Sequence, residues 1–394
     1  MKKVTLPRGN CVICGLPITA DTDSREHVIT NAIGGRLKTN GFICQDCNST
    51  KGHSWDTALA RQLNGLCLYF GIARERGESP TQQIETTTGE RFELQHGGGL
   101  MPHKPTIKEI QREGGRLELQ ITAQTMEEAR KILKRKKRKY PGLDIEQALR
   151  TATNGLSAPT GVLKLSSEVG GVESDRSIVK TTAAFAHCVG LEVDGLNTAL
   201  EYLRNSDAEA PFGYYYEVDL VIGRPAGVPI HCVAVSGIPE HRLLLGYVEF
   251  FGVHRAVVCL SDRYSGEAIH RAYAIDPTTG KTFDVQVRLP FSMTDLRQIY
   301  AYEKIPPGAM ERAFTEVLIP ARKRQYDNET HRQISDAVNY AWKNCGAKAG
   351  DIMTEELAGK MVALIAERMQ PFLLHRIRQR RGREDAANSA LTGR

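Results

Sequence analysis

The sequence predicts an α+β protein built from parts of different kinds. Two Cys-x2-Cys pairs lie near the N-terminus, at Cys11–Cys14 and Cys44–Cys47. Residues 156–292 contain short apolar runs typical of strands, together with a helical segment from Ser177 to Val189, and residues 293–394 follow helical periods. We therefore expect a small N-terminal domain stapled by metal, a sheet-based α+β middle domain and a helical C-terminal region.

The composition is that of an ordinary globular protein. The chain has 394 residues, of which 41% are hydrophobic and 25% charged, and its formal net charge is +6. A charge of this size favours a polyanionic partner only if the basic residues are clustered. No apolar stretch approaches the roughly 18 residues that suggest a membrane span, and the first residues lack the apolar core of a secretory signal. We therefore expect a cytoplasmic protein with no membrane partner.

The cysteines predict a structural zinc site. Their number, nine, is odd, which argues against a disulfide framework in a chain without an export signal. Two Cys-x2-Cys pairs fit tetrahedral zinc, and four thiolates leave no position for a catalytic water. The predicted zinc ligands are Cys11, Cys14, Cys44 and Cys47. The other five cysteines stand singly among apolar neighbours and are predicted to be core residues: Cys67, Cys188, Cys232, Cys259 and Cys345.

A second pattern lies between and after the cysteine pairs. The chain reads Ser-Arg-Glu-His-Val-Ile from Ser24 to Ile29, then Gly34-Gly35, and Asn48 follows the last cysteine directly. With the cysteine pairs, this pattern resembles the HNH endonucleases of the ββα-metal type, and among them the zinc-bearing subgroup. The resemblance covers residues from about 8 to 60. It implies an enzyme that hydrolyses phosphodiester bonds of DNA.

The chemistry of this reaction suggests a role for each residue of the pattern. Hydrolysis of a phosphodiester needs a base for the water and a divalent cation for the developing charge. His27 is the candidate base, since an unperturbed imidazole has a pKa near 6.5. The resemblance implies that Glu26 and Asn48 hold Mg²⁺ or Mn²⁺, and their oxygen donors suit such ions. Adjacent side chains on a strand point to opposite faces, so Glu26 and His27 share one site only if the strand is bent or bulged.

Other residues of the segment carry weaker predictions. Either Asn31 or Asn40 could be the middle Asn that orients the loop with the base, and we prefer Asn31, four residues after His27. Lys51 and His53 are candidate phosphate contacts, although a solvated position on a helix is the simpler explanation for each. Trp55 and Asp56 are interpreted as helix packing and a local polar contact.

A run of basic residues predicts a second contact with nucleic acid. Seven of the nine residues from Lys131 to Lys139 are Lys or Arg, in a helix that begins with Thr125 as N-cap and Glu128 in the capping box. Such a helix grips phosphates without choosing a sequence, or is merely a solvated face. The candidate nucleic-acid-binding residues are Lys134, Arg135, Lys137 and Arg138. The arginine-rich end from Arg376 to Arg383 has the same two explanations.

These observations favour a metal-dependent HNH endonuclease acting on DNA. Its predicted segments are an HNH domain over 1–71, a connecting region with the basic helix over 72–155, an α+β domain over 156–292 and a helical region over 293–394. A companion region of this size suggests phage defence, with activation by a ligand or partner protein, and is compatible with a homo-oligomer. The alternative hypothesis is an inactive zinc-ribbon protein that binds nucleic acid or acts as an adaptor.

Overall fold

The structure is a computed structural model of the full chain. The residues that it describes are 9–111, 117–152, 159, 161–165, 169–348 and 350–392. They belong to two compact units, and each is described by itself. The first unit comprises residues 1–82, 94–99 and 166–322. The second unit comprises residues 83–93, 100–165 and 323–394.

The described residues form both helices and strands, grouped in separate runs, which confirms the predicted α+β class. In chain order the strands are β1 (Glu26–His27), β2 (Lys38–Thr39), β3 (Gln82–Thr86), β4 (Arg91–Leu94), β5 (Leu100–Pro102), β6 (Thr106–Gln111), β7 (Leu117–Thr122), β8 (Leu163–Lys164), β9 (Phe212–Tyr214), β10 (Val221–Ile222), β11 (His231–Ile238), β12 (Leu243–Phe250), β13 (His254–Ser261), β14 (Ile269–Ile275), β15 (Thr282–Phe283) and β16 (Gln286–Val287). The helices are α1 (Gln45–Cys47), α2 (His53–Gln62), α3 (Asn64–Phe70), α4 (Met126–Lys139), α5 (Ile145–Arg150), α6 (Val172–Cys188), α7 (Asn197–Arg204), α8 (Met293–Tyr300), α9 (Ala309–Asn344) and α10 (Glu355–Thr392).

The first unit begins with a ββα arrangement. Strands β1 and β2 pair antiparallel, with Glu26 opposite Thr39 and His27 opposite Lys38. Helix α1 leads through one π-helical turn, Asn48–Gly52, into α2. Apolar residues of the loops and of α2 are buried together and hold these short elements in place: Val28, Ile29, Phe42, Trp55 and Leu59. The predicted N-terminal ββα domain is therefore confirmed.

The middle of the first unit is an antiparallel sheet with the strand order β15-β14-β11-β12-β13-β9. Its central strands β12 and β13 are buried along their whole length. Such strands need cover on both faces, and helix α6 packs against β11, β12 and β13. Gly246 on β12 permits this close approach, because a Cβ at this position would lie 2.8 Å from the Cβ of Thr182. The predicted sheet-based middle region is thus confirmed.

Helix α6 also packs against α2 of the ββα arrangement. Nearly all of its residues from Ser174 to His187 are buried, as expected for a helix covered on several sides. The amide of Gln62, at the end of α2, donates to Ser174 Oγ at 3.0 Å. Helix α6 therefore lies between the sheet and the candidate catalytic elements.

Three further side chains fasten the ββα arrangement to the middle of the first unit. Arg204 donates to the carbonyl oxygens of Cys11 and Val12, next to the first cysteine pair. His231 accepts the backbone N–H of Phe251 at Nδ1, so its Nε2 carries the proton and donates to the carbonyl of Ile33 at 2.8 Å. His187 Nε2 donates to the carbonyl of Asn40 at 3.0 Å. The middle region thus holds the loops around β1 and β2 by buried hydrogen bonds.

The second unit contains the sheet β5-β4-β3-β8, the hairpin β6-β7 and the basic helix. Thr125 caps α4 by accepting from the backbone N–H of Glu128 at 3.1 Å, as the sequence predicts. The predicted capping box is not complete, because the Glu128 carboxylate accepts from the backbone N–H of Gln124 at 2.9 Å instead of that of Thr125. Later in this unit, residues of α9 and α10 pair in antiparallel order. Arg368 donates to Asp336 at 2.9 Å, and Arg376 donates to Thr330 at 2.7 Å. The predicted helical C-terminal region is confirmed.

Candidate active and metal sites

The four cysteines of the two pairs converge on one point. Their Sγ atoms all lie within 4.8 Å of one another, and those of Cys14 and Cys44 are 3.9 Å apart. A tetrahedral zinc with bonds of about 2.3 Å would separate its sulfurs by about 3.8 Å. The backbone N–H of Cys44 donates to Cys11 Sγ at 3.3 Å, as in sites where peptide groups support thiolates. The cluster therefore fits the predicted structural zinc.

The chain folds tightly around this cluster. Gly15 has a φ of +73°, a conformation that a residue without a Cβ adopts without strain, and its N–H donates to the carbonyl of Cys11 at 2.9 Å. Cys11 and Cys47 are buried, whereas Cys14 is exposed. Of the five single cysteines, Cys188 is half-buried and the other four are buried, in agreement with their predicted packing role.

His27 lies at the edge of the core, with one-fifth (20%) of its side chain exposed. Its Nε2 is 3.5 Å from Glu75 Oε1, and the other oxygen of that carboxylate accepts from Lys38 Nζ at 2.9 Å. Burial and the charge of Lys38 lower the pKa of His27 below 6.5, against the opposite effect of Glu75. The imidazole is therefore neutral near pH 7 and able to accept a proton.

Asn31 is bonded to the segment that carries the carboxylate next to His27. Its Oδ1 accepts from the backbone N–H of Glu75 at 2.7 Å, and its Nδ2 donates to the carbonyl of Gly35 at 3.2 Å. Asn40, the alternative, is exposed and contributes its backbone carbonyl to the bond with His187. This geometry favours Asn31 as the orienting residue, and that role stays a prediction.

Glu26 lies in a different hydrogen-bond network from His27. It is only 4% exposed, and its Oε1 accepts from the ammonium of Lys180 on α6. The same ammonium donates to Asp56 Oδ2 at 2.8 Å, and Ser177 Oγ donates to Asp56 Oδ1 at 2.7 Å. We call Glu26, Asp56 and Lys180 the buried charge cluster. It holds two carboxylates and one ammonium.

Asn48 joins this cluster from the π-helical turn. Its amide nitrogen donates to Ser24 Oγ at 2.6 Å, and its side chain also hydrogen-bonds to Glu26. A Cβ at Gly52 would lie 2.9 Å from Asn48 Oδ1, so the glycine leaves room for this oxygen. Single π-turns inside helices occur often at functional sites. Glu26 and Asn48, which the resemblance pairs as metal ligands, are thus neighbours.

The electrostatics of the cluster follow from its burial. Burial raises the pKa of Glu26, against the lowering effect of Lys180. Burial lowers the pKa of Lys180, but the two carboxylates outweigh it and raise that pKa above its ordinary value. The ammonium therefore stays charged, because a buried charge is tolerated when it is paired and hydrogen-bonded.

The side-chain oxygen atoms at and around Glu26 are suitable ligands for a divalent cation. Carboxylate and amide oxygens are the ligands that Mg²⁺ and Mn²⁺ prefer, and Glu26, Asp56 and Asn48 provide them. One carboxylate oxygen of Glu26, however, already accepts from Lys180. The donor chemistry fits the cation, and the ammonium competes for the same carboxylate.

Glu26 and His27 make separate contacts, as expected from adjacent positions on a regularly paired strand. Asp56 nevertheless links the two networks electrostatically, because its negative charge acts to raise the pKa of both Glu26 and His27. Asp56 is more than the local polar contact that its position in the sequence suggested. Lys180 and Glu75 also belong to the site without any sequence signal, since spacing patterns do not reveal pairs as far apart as Glu26 and Lys180.

The two candidate phosphate contacts after the second cysteine pair, Lys51 and His53, are both exposed. His53 lines a cleft of about 660 Å³ beside α2, whose walls include Arg61 and Arg74. Positive side chains along a cleft favour an anionic ligand. The cleft is consistent with a phosphate-contacting role for His53, which stays a prediction.

The basic helix α4 separates its positive residues into two groups. Lys136 and Lys139 donate to Glu109 on β6, and Lys131 pairs with Glu127. The four candidate residues are exposed and make no ion pair among the described residues: Lys134, Arg135, Lys137 and Arg138. This face is suited to phosphates, and its binding role stays a prediction. The arginine side chains from residue 378 onward lie outside the described part of the chain.

Comparison with protein families gives a match near the N-terminus. Residues 11–64 match the HNH endonuclease family, which confirms the resemblance inferred from the sequence. The match supports a nuclease-type enzyme in general, with nucleic acid as its substrate class. No curated protein and no solved structure showed significant similarity to the chain. Within the described residues, none of the helices has the length and apolarity needed to cross a membrane.

Proposed function

We propose that this protein is a divalent-metal-dependent HNH endonuclease that hydrolyses phosphodiester bonds of DNA. The observation that carries the proposal is the fold of the segment that matches the family. Residues 11–64 form two paired strands and a helix, with His27 on the first strand and Asn48 at the start of the helical turn. A four-cysteine cluster brings the chain before β1 next to helix α1.

His27 acts as the general base. Its lowered pKa keeps the imidazole neutral at pH 7, so it can take a proton from the attacking water. Glu75 then stabilises the imidazolium, since its carboxylate lies 3.5 Å from Nε2. Asn31 holds the backbone of Glu75 and thereby keeps this carboxylate in place.

Glu26 and Asn48 would hold the catalytic cation. When bound, Mg²⁺ or Mn²⁺ supplies positive charge to the phosphate and to the leaving oxygen. The thiolates have no part in this step, because four sulfur ligands complete the coordination of zinc. Lys51 and His53 contact phosphates beside the site, and the face of α4 adds binding that does not depend on sequence.

Plasmid cleavage tests the proposal. Purified protein is incubated with supercoiled plasmid and Mg²⁺ or Mn²⁺, with and without EDTA, beside the variant His27→Ala. Removing a general base lowers a rate by roughly 10²- to 10⁴-fold, so we expect cleavage by wild type, inhibition by EDTA and a loss of this size in the variant. DNA binding is measured in parallel by gel shift. Equal behaviour of wild type and variant, with DNA binding retained in both, would refute the enzymatic function.

The second candidate is a nucleic-acid-binding or adaptor protein that has lost activity. The ion pair between Glu26 and Lys180 favours it, because a ligand of the catalytic cation is engaged by a protein cation. The plasmid assay separates the two functions, since an adaptor shifts DNA in a gel and leaves it uncut under every metal condition.

The cellular role that we propose is defence against phage, with the regions beyond the HNH segment as sensor. The test is the number of plaques on a host strain that expresses wild type or His27→Ala. We expect protection by wild type alone. Equal plaque counts would remove this role and leave the nuclease proposal to the plasmid assay.

A further inference from the structure

The site proposed above already contains a cation, supplied by the middle of the chain. Lys180 lies on α6, which belongs to the sheet region, yet its ammonium bonds to Glu26 of the ββα arrangement. The lysine side chain is 1% exposed. A lysine buried to this degree is rare and needs partners, and Lys180 has two carboxylates from different elements.

We propose that Lys180 is a latch that regulates the nuclease site. In the latched state its ammonium occupies the Glu26 carboxylate and excludes the divalent cation. The cation binds when Lys180 withdraws. This inference rests on the proposed function, because it regulates the cation site that the function requires.

Competition between the two cations follows from the geometry. Glu26 Oε1 accepts from the ammonium, and the Glu26 side chain also bonds to Asn48. A divalent cation at this carboxylate would lie within a few ångströms of the ammonium, and like charges at such distances repel strongly where water is excluded. The cluster holds two carboxylates and one ammonium, so its charge is −1. If the divalent cation replaces the ammonium, the two carboxylates are neutralised completely.

The packing of α6 links the position of Lys180 to the sheet and to α2. The helix is held by the sheet on one side and by α2 on another, and Thr182 contacts Gly246 closely. Ser177, one turn before Lys180, also bonds to Asp56. Withdrawal of Lys180 therefore involves α6 and its neighbours, so an event that shifts this helix against α2 would open the cation site.

Metal binding by zinc-loaded, full-length protein tests the latch. Mn²⁺ is titrated into wild type, Lys180→Gln and Lys180→Met, and free Mn²⁺ is followed by electron paramagnetic resonance. If the cation site is open in only a minor fraction of the molecules, the apparent Kd equals the intrinsic Kd divided by that fraction. We expect the apparent Kd for Mn²⁺ to fall at least about tenfold in both variants. Adding Glu26→Gln to either Lys180 variant should abolish the gain in Mn²⁺ affinity. This result would place the bound Mn²⁺ at Glu26.

Two controls separate the latch from a general loosening of the fold. Ser177→Ala removes a hydrogen bond to Asp56 and keeps the ammonium, so any gain in Mn²⁺ affinity should be much smaller than in the two Lys180 variants. The thermal midpoint gives a readout that is independent of cleavage. Mn²⁺ should raise the Tm of the Lys180 variants and leave that of wild type nearly unchanged, because the metal replaces the missing ammonium.

The outcomes distinguish the latch from the nuclease proposal. If neither Lys180 variant binds Mn²⁺ more tightly than wild type, the latch is wrong, even where wild type cuts plasmid. If the variants gain Mn²⁺ at Glu26 but neither they nor wild type cut DNA, the latch stands and the nuclease proposal fails. A variant that folds only when Mn²⁺ is present supports the latch directly.

Discussion

The cysteine cluster and the buried charge cluster differ in how the chain assembles them. The four cysteines lie within 37 consecutive residues, and two short knuckles are enough to bring their sulfurs within 4.8 Å. The buried charge cluster needs Glu26, Asp56 and Lys180, and the last of these comes from a helix of the sheet region. The first cluster is a local device that stabilises a small fold. The second cluster depends on the packing of α6 against the ββα arrangement. A change in that packing therefore changes the contacts between Lys180 and the two carboxylates.

The largest effect should come from removing a zinc ligand. Structural zinc contributes on the order of 10 kcal/mol in small zinc domains. We expect Cys47→Ser to lose zinc and to unfold the ββα arrangement, with loss of any cleavage. Zinc content by mass spectrometry and circular dichroism check this. The control is Cys188→Ser, a half-buried single cysteine, which should keep its zinc. A Cys47→Ser protein that is folded and free of metal would contradict the role of the cluster.

Substitutions in the buried charge cluster should have non-additive effects on the free energy of unfolding. Glu26→Gln or Asp56→Asn alone leaves Lys180 with one carboxylate, so each should destabilise the protein only modestly. The double variant leaves a buried ammonium without a counter-ion, which typically costs about 3 to 5 kcal/mol. Denaturant unfolding of wild type, the two single variants and the double variant gives the coupling free energy between Glu26 and Asp56. If the two single effects simply add, Lys180 does not depend on the pair.

A smaller effect should appear at acid pH, through a hydrogen bond that fastens the ββα arrangement. Burial lowers the pKa of His231 to about 4. The unfolded chain takes up this proton below about pH 6.5, whereas the folded protein takes it up only near pH 4. The stability that His231 contributes is therefore complete above pH 6.5 and is lost as the pH falls towards 4. Between pH 7.5 and 5 the loss from this group is about 2 kcal/mol.

The variant His231→Gln isolates this contribution. Its unfolding free energy should change less between pH 7.5 and 5 than that of wild type, by the amount given above. Urea unfolding at the two pH values measures the difference. An identical pH dependence in the two proteins would show that His231 is protonated in the folded state at pH 5, contrary to its burial.

The smallest effect concerns a region that belongs to neither cluster. Neutralising the exposed face of α4 by changing Lys134, Arg135, Lys137 and Arg138 to Gln should weaken DNA binding without affecting metal. Each phosphate contact contributes about 0.9 to the slope of log K against log salt, so the slope should fall by up to roughly 3.6. Fluorescence anisotropy at several salt concentrations measures it. The matched control is Lys131→Gln with Lys139→Gln, residues already paired with Glu127 and Glu109. An unchanged slope would identify the helix as a solvated face.

The same difference between the clusters explains what the sequence predicts. Cysteine spacing, the Glu-His pair and Asn48 are local signals, and they predict the zinc cluster and the ββα fold. The helix cap at Thr125 is equally local and is confirmed. The helix predicted from Ser177 begins earlier, at Val172, directly after Gly170 and Gly171, whose positive φ angles are not helical.

Such local signals do not predict the contacts of Lys180 and Glu75, which complete the site. A lysine inside a predicted helix is expected to face solvent, yet Lys180 is buried because sheet and α2 cover α6 on different sides. Glu75 follows the family segment and reaches His27 only through the fold. Residues that meet across large sequence separations leave no periodicity or spacing that a single sequence displays.

The proposed nuclease needs two ions with separate places and separate tasks. A crystal structure of the zinc-loaded Lys180→Gln protein with Mn²⁺, with anomalous data at the zinc and manganese edges, tests this most directly. We expect zinc at the four cysteines alone and manganese beside Glu26 and Asn48. Manganese missing from Glu26, or bound among the cysteines, would contradict the assignment of separate sites to the two ions.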